Sequence, residues 1–458
     1  MPVDFSRLQS RSRGRVVLPD SPDYDGVRQV WNASIQRHPA AILQCAGAAD
    51  VREGVRFAAE QGLTLAVRAG GHNVAGLGTC DDGLVLDLRA LQGVRIDPAA
   101  KRARVQAGVT WGVFDHEAQA FGLATPGGVM STTGIAGFTL GGGFGWISRR
   151  HGTASDNLRS VDIVTASGDA RTVDAESDPE LFWGLRGGGG NFGVATSFEY
   201  ALHDVGPEVI AGPLIYPIDQ AHDVLSGWAA AIGGLRDEAM SVAVLRTAPP
   251  DPPFPEHLWG QPVLSLSLMW IGAPKDAESA LAPLRSLGRP AVDAFGPKPY
   301  TAFQKAQDRY WAPGAENYWK ADYLTGLDDA AVGTLVEAGK SFTSPASDIK
   351  IVGFGGVLAR TPEDFSAYGN RSAAALVNIN TRWNASTPIV DHVGWTRDLW
   401  DQLHRLATGV YVNFLGQEGA NRVFEAYGAE KFRRLTALKA TWDPENFFHV
   451  NQNIPPRP

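Results

Sequence analysis

The chain has 458 residues, of which 44% are apolar and 20% charged, and its formal charge is −8. Such a composition is globular, and the length exceeds what one hydrophobic core usually serves, so two lobes are expected. The acidic balance and the scatter of the arginines exclude nucleic acid and an anionic membrane surface as partners, because both require clustered Lys and Arg to neutralise phosphate.

The first helical pattern is Ala49–Gln61. The run around it, Val51–Val67, is broken by Arg52, Glu53, Arg56 and Glu60. It reads neither as a membrane span nor as a secretion signal, and a soluble, cytoplasmic protein is expected. A strand at Leu65–Val67 leads into Arg68-Ala69-Gly70-Gly71-His72-Asn73-Val74-Ala75-Gly76-Leu77. The glycines allow close backbone approach to a ligand while amide hydrogens face an anion, which suits a pyrophosphate cradle. Taken alone, His72 reads more readily as a turn residue than as a reactive one. The two cysteines, Cys45 and Cys80, cannot make a disulfide framework, and without CxxC or HExxH spacing no metal site is expected.

Strands follow at Leu84–Leu88 and Arg104–Gln106, then a helix at Trp111–Ala120. The stretch Thr125 to Gly145 is dominated by glycine and small hydroxyl residues. Backbone with so little to fill a core is costly to order unless something large lies against it. After a strand at Val161–Thr165, Gly188-Gly-Gly-Asn-Phe-Gly193 satisfies the GxGxxG dinucleotide pattern in reverse context. A helix, Pro179–Leu185, precedes it and a strand, Val194–Tyr200, follows, whereas a Rossmann site needs the opposite order. This completes an α+β lobe, residues 1–208.

From about Val209 the pattern becomes two-faced. Ser241–Arg246 and Val263–Trp270 read as strands, the second with Leu264, Leu266 and Leu268 opposite Ser265, Ser267 and Met269. Leu376–Trp383 places Val377, Ile379 and Thr381 on one face and Asn378, Asn380 and Arg382 on the other. One face suits covering helices, for which Asp219–Ile232, Asp276–Leu287 and Ala331–Gly339 are candidates; the other suits a polar cavity. Gly333–Ser341 imitates a phosphate loop but has five residues between its glycines where four are required, and reads as an exposed helix end. A second α+β lobe, 209–408, therefore precedes a return to the first lobe at 409–458.

Five runs carry a resemblance. Arg68-x-Gly-Gly-His72, Leu84-Val-Leu-Asp-Leu88, Gly134-x-Ala-Gly-x-Thr-Leu-Gly-Gly-Gly-x-Gly145, Arg186-Gly-Gly-Gly-Gly-Asn-Phe-Gly193 and Asn451-Gln-Asn-Ile454 occur in order. Tyr411-Val-Asn413 and Trp442-Asp-Pro-Glu-Asn446 fall between the last two. In these the chain, from about Pro39 to Pro455, resembles the berberine-bridge-like oxidases of the vanillyl-alcohol-oxidase superfamily. The resemblance implies an α+β, PCMH-type FAD-binding domain built from the first lobe and the return, and a substrate domain laying an antiparallel sheet, covered by helices, over the flavin ring. The positions it assigns to FAD are Arg68, Ala69, Gly70, Gly71, His72, Asn73, Gly76 and Leu77. Further along they are Gly128, Thr132, Thr133, Gly134, Gly137, Phe138, Gly142, Gly143, Gly193, Val194, Tyr411, Asn413, Asn451 and Asn453.

The resemblance also implies roles. His72 stands where a ring nitrogen bonds covalently to the flavin 8α-carbon. Met130 stands where many members carry a second, cysteinyl tether, so no cysteinyl link is expected. Phe138 and Phe144 replace a histidine and a tyrosine found in some members. Asn378 and Asn380 lie where some members place a carboxylate, and amides cannot act as bases. That leaves Tyr411 as candidate base, with Asn413 on the same strand face, and Tyr318, Lys320 and Tyr323 as a second polar group. Thr133 stands where a valine admits dioxygen and a leucine blocks it. The expected activity is an oxidase that removes a hydride from a C–H bond of a small alcohol, sugar, amine or phenol and passes the electrons to dioxygen, giving hydrogen peroxide. The competing readings are a dehydrogenase with another electron acceptor and a catalytically weak flavin-binding protein. Nothing in the sequence sets an oligomeric state.

Overall fold

Where consecutive residues of a strand are apolar, both its faces must be covered. In the computed structural model, which describes residues 3–384, 386–387 and 390–457, this holds for Ala41–Gln44, Leu84–Asp87 and Leu65–Arg68, paired in parallel, with Arg15–Val17 antiparallel at the edge. Leu43, Leu84 and Leu86 enter the main core of the first lobe, while Ile42, Val85 and Ala66 enter a smaller cluster with Tyr24 and Cys80 on the far side. The helix Ala48–Gln61 separates this sheet from a second, antiparallel one. Its strands run in the order Val94–Asp97, Arg102–Gln106, Val194–Ala201, Leu158–Val164 and Ala170–Asp174.

Among the described residues the larger sheet has nine strands, all antiparallel. Its central order is Glu208–Pro217, Pro262–Trp270, Ala239–Thr247, Asp348–Gly353, Ala375–Trp383 and Glu316–Leu324. One face carries Leu245, Leu264, Leu266, Leu268, Ile349, Ile351, Val377 and Ile379 into a core closed by the helices Ala221–Ala231, Ala277–Arg285, Asp329–Gly339 and His392–Leu403. The phosphate-loop mimic is the end of the third of these helices. The other face looks toward the first lobe. A third cluster joins the two, with Phe144, Trp146, Met240, Met269, Tyr323, Tyr368 and Tyr411.

The C-terminal return is locked to the glycine-rich segment near Asn191. Lys439, fully buried, donates to the carbonyls of Asn191 and Phe448 at 2.8 and 2.9 Å and pairs with Asp443 at 2.6 Å. A buried ion pair is tolerable when its remaining hydrogen bonds are met in this way. The Asn191 side chain donates to the Gln452 carbonyl and accepts from the Ile454 N–H. Tyr411–Asn413 does not form the expected strand. Val412–Phe414 is a single 3-10 turn, and Tyr411 and Asn413 meet through the hydrogen bond that turn allows rather than by sharing a strand face. Among the described residues no helix is long and apolar enough to cross a membrane, and no cluster of His, Cys, Asp and Glu is arranged to hold a metal ion.

Candidate active site

Between the glycine-rich loops and the free face of the large sheet runs a cleft of about 2350 Å³, its open mouth included. One wall is backbone. The first loop contributes Arg68, Ala69, Gly70, Gly71, His72, Asn73 and Leu77. The second contributes Gly128, Thr133, Gly134, Gly137 and Phe138; Gly193, Val194, Tyr411, Asn413 and Asn451 complete the set. The first two loops cross backbone to backbone, so that a Cβ on Gly70 would lie 2.3 Å from the Gly134 nitrogen. At Gly137 and Gly190, by contrast, a Cβ would meet no protein atom within 4 Å and would project into the cleft. The buried Oδ1 of Asn451 has no protein partner. A large ligand with hydrogen-bonding edges fits this wall, and FAD is such a ligand.

Not every residue expected at the flavin reaches the cleft, because the loops curl away from it. Gly76 packs on Ile35, Gly142 on Tyr368, and Gly143 spends its N–H on the Tyr411 hydroxyl at 3.0 Å. Asn453 is outside the wall, and Thr132 acts on it only through His72. Arg68 does line the cleft, but its charge is met within the protein by Asp87 at 2.8 Å, which also takes Arg89.

His72 stacks on Trp31 with ring centroids 5.1 Å apart, and its Nε2 lies 2.9 Å from Thr132 Oγ1. Desolvation, and secondarily the charge of Arg382, pushes its pKa down to about 4. The ring is therefore neutral at neutral pH, and with Nε2 engaged its free nitrogen is Nδ1. The loop carrying Met130 is held from the other lobe: Asp308 accepts from Ser131 N–H at 2.8 Å and Ser131 Oγ at 2.5 Å, and Gln304 donates to the Gly128 carbonyl at 3.2 Å. Met130 lines the cleft, whereas Cys45 and Cys80 are buried away from it.

The opposite wall is made of side chains, selected by strand parity. Cross-strand partners Trp319, Asn380 and Asp348 form one row; Ala321, Asn378, Lys350 and Val244 form the next. Asn378 and Asn380 are 2% and 1% exposed, and the Oδ1 of each has no partner. Asn380 donates its Nδ2 to Asp348 at 2.7 Å. Lys350 Nζ lies 3.2 Å from Asp348 and 3.7 Å above the Trp311 ring. Burial, with Arg246 and Arg382 nearby, pushes its pKa below the ordinary lysine value against the pull of Asp348.

The same parity dissolves the group Tyr318, Lys320 and Tyr323. Tyr318 and Lys320 point to the helix-covered face, where they meet Arg397 and Glu418; Tyr323 points the other way, its hydroxyl 2.8 Å from that of Tyr368. Tyr411, 2% exposed, accepts from Gly143 N–H and from Asn413 Nδ2 at 2.8 Å. Burial pushes its phenol well above the ordinary value, which opposes its use as a base. Sequence reasoning misses Lys350, Trp31, Trp311 and Trp319. The alternation of Asp348-Ile-Lys350-Ile-Val352 is the signal that finds Lys350; Trp31 and Trp311 sit in irregular segments that carry no periodic signal.

Comparison with known proteins bears on this architecture. Residues 39–174 match a family model described as an FAD binding domain, and residues 410–455 match one described as berberine and berberine like. The chain is 31% identical to (R)-6-hydroxynicotine oxidase of Paenarthrobacter nicotinovorans over 97% of each chain. It is 27% identical to xylooligosaccharide oxidase of Thermothelomyces thermophilus over 96% of this chain and 92% of that one. The crystal structure of 6-hydroxy-D-nicotine oxidase from Arthrobacter nicotinovorans superposes with a TM-score of 0.86 at 29% identity, covering 97% of this chain and 98% of that one. The chain belongs to the berberine-bridge-like family of FAD-linked oxidoreductases, with the PCMH-type FAD-binding fold and a large antiparallel substrate-domain sheet.

Proposed function

We propose that this FAD-linked oxidoreductase is an oxidase whose flavin is tethered through His72 alone and whose substrate is a small organic molecule held against the large sheet. The chemistry supplied by bound FAD is acceptance of a hydride from a substrate C–H bond and transfer of the electron pair to dioxygen, giving hydrogen peroxide. The observation that carries the reading is the confrontation, across one cleft, of a neutral His72 ring and a glycine-lined ligand space with a row of polar side chains on the sheet. His72 presents Nδ1 for attachment while Thr132 occupies Nε2. The loop wall supplies Gly70, Gly71, Gly134, Gly137, Asn413 and Asn451 to hold the cofactor.

On the sheet wall, Asn378 and Asn380 orient the substrate, and Lys350 takes the proton of the substrate hydroxyl as the hydride leaves. Burial lowers the pKa of Lys350, so it gives up its proton more readily than an ordinary lysine, which favours that transfer. Tyr411 holds the loop at Gly143 and Asn413 in place, a positioning role. Anaerobic mixing of the purified protein with panels of alcohols, sugars, amines and phenols, followed by admission of air, tests the reading. The visible flavin band should fall with a substrate and return rapidly in air with one hydrogen peroxide per turnover. Reduction followed by slow return in air would instead assign the chain to the dehydrogenases.

A further inference from the structure

We infer that the sheet wall is a recognition site for a hydroxylated aromatic molecule, uncharged or anionic, and that it rejects cationic amines. The inference rests on the preceding reading for the location of the site, and on the side chains for its chemistry. Among the described residues no Asp or Glu lines the cleft. The carboxylate nearest that wall, Asp348, is 2% exposed and already engaged by Lys350 and Asn380. Around it stand three cationic side chains: Lys350 beside it, Arg246 as its cross-strand partner, and Arg382 two residues along from Asn380. Arg246 and Arg382 stand behind the wall, over Tyr310 and against Asn317 and the Ala312 carbonyl, so the cleft-lining charge on this face is that of Lys350, with no free carboxylate among the described residues to offset it. A protonated amine entering this wall meets uncompensated like charge in a poorly hydrated setting, where such repulsion is strongly felt.

The hydrogen-bonding atoms narrow the class. Asn380 cannot turn its amide over without facing its oxygen against Asp348, so its unpartnered Oδ1 remains an acceptor; Asn378 offers a second one a strand repeat away. Buried acceptors left unsatisfied are costly, and a substrate that donates to them is selected over one that does not. The flanks are aromatic. Trp31 and Trp311 stack at 6.2 Å, and Trp319 meets Trp311 edge-on at 5.9 Å. The Nε1–H groups of Trp311 and Trp319 have no acceptor, which suits an oxygen on the guest. Few polar atoms between broad indole faces fit a flat ring with one or two hydroxyls better than a saccharide that carries a hydroxyl on nearly every carbon.

The test uses binding to the holoenzyme. Phenol and 4-hydroxybenzoate have no saturated C–H bond from which a hydride could leave, so they report occupancy alone, read as a saturable perturbation of the flavin absorbance and of tryptophan fluorescence. Both should bind at least about tenfold more tightly than benzyltrimethylammonium or xylobiose, a difference of one decade in Kd. At a pH below the inflection of the reduction rate, where Lys350 is an ammonium, Lys350→Met should weaken 4-hydroxybenzoate by about tenfold or more and phenol less, and Asn380→Leu should weaken phenol. Tighter binding of the cation or the disaccharide than of phenol overturns the inference, and so does the absence of saturable binding by either phenol. A protein that binds phenols yet is never reduced defeats the oxidase reading and leaves this one standing; reduction by amines without phenol binding does the reverse.

Discussion

One wall of the cleft is backbone and the other is side chains, and the two answer to different constraints. On the loop wall, Gly70 and Gly134 touch so closely that neither tolerates a methyl group, and Gly137 and Gly190 leave their side-chain space to the ligand. On the sheet wall, Asn378, Asn380 and Lys350 alternate with Ile379, Ile349 and Ile351, whose side chains go to the core on the far face. The lesson is a division of labour. The loop wall is set by close backbone packing, as at Gly70 and Gly134, and by side-chain space left to a ligand, as at Gly137 and Gly190, whereas the sheet wall consists of side chains that can be exchanged while the opposite face holds the sheet together.

Variants sort along this division. The largest effect is expected at His72→Ala: acid precipitation should move all flavin from the pellet to the supernatant, while the native protein stays yellow because the glycine loops still hold FAD. Flavin found on any peptide other than that containing His72 in the parent protein would refute the assignment. Next comes Lys350→Met on the sheet wall, expected to slow anaerobic reduction about a hundredfold, as removal of a general base does, with the melting temperature little changed. Tyr411→Phe should show the opposite balance. It leaves the Gly143 N–H buried without its acceptor and costs Asn413 one of its two, Phe138 O being the other, a loss of about 1–3 kcal/mol in stability. Its effect on reduction should fall well short of a hundredfold. A larger kinetic loss at Tyr411 than at Lys350 would reverse the two roles.

The pH dependence follows from the same comparison. Lys350 acts as the neutral amine, and its pKa is lowered from 10.5. The reduction rate should be low at acid pH, where the ammonium persists, and rise to a plateau with an inflection below the ordinary lysine value. Lys350→Met should abolish that limb, and an unchanged profile in the variant would remove Lys350 from the proton path.

The two walls also differ in how far they can be read from sequence. Glycine clusters announce close backbone approach, so most of the loop wall is legible in the amino-acid sequence alone. The expected positions that do not line the cleft are Gly76, Gly142 and Gly143, which pack on Ile35, Tyr368 and Phe138, together with Thr132 and Asn453; composition alone does not separate a glycine facing a ligand from one facing a neighbouring loop. Parity exposes Asn378 and Asn380 on a strand long enough to alternate. It exposes Lys350 only once the short strand Asp348–Gly353 is recognised, and it argues against grouping Tyr323 with Tyr318 and Lys320. Trp31 and Trp311 reach the cleft from irregular segments, where long-range packing, invisible to any local pattern, decides orientation.

The smallest expected effect probes the seam between the walls. Thr133 lines the cleft, and its backbone is fixed on both sides: its carbonyl accepts from Trp111 N–H at 3.0 Å, and its own N–H donates to the Met130 carbonyl at 3.2 Å. Added bulk at this position therefore enters the cleft rather than moving the loop. Threonine has nearly the shape of valine, and the proposed oxidase reading places the path of dioxygen through the space beside it; its hydroxyl holds a water there only with a second polar partner. Thr133→Leu fills that space without changing charge, so reoxidation of the reduced flavin by air should slow several-fold while anaerobic reduction by substrate, which proceeds from the sheet side, stays nearly unchanged. Stopped-flow measurement of the two half-reactions separates them. Equal reoxidation rates in the variant and the parent would show that dioxygen reaches the flavin by another route, and a parallel fall in both rates would show that Thr133 touches the substrate as well.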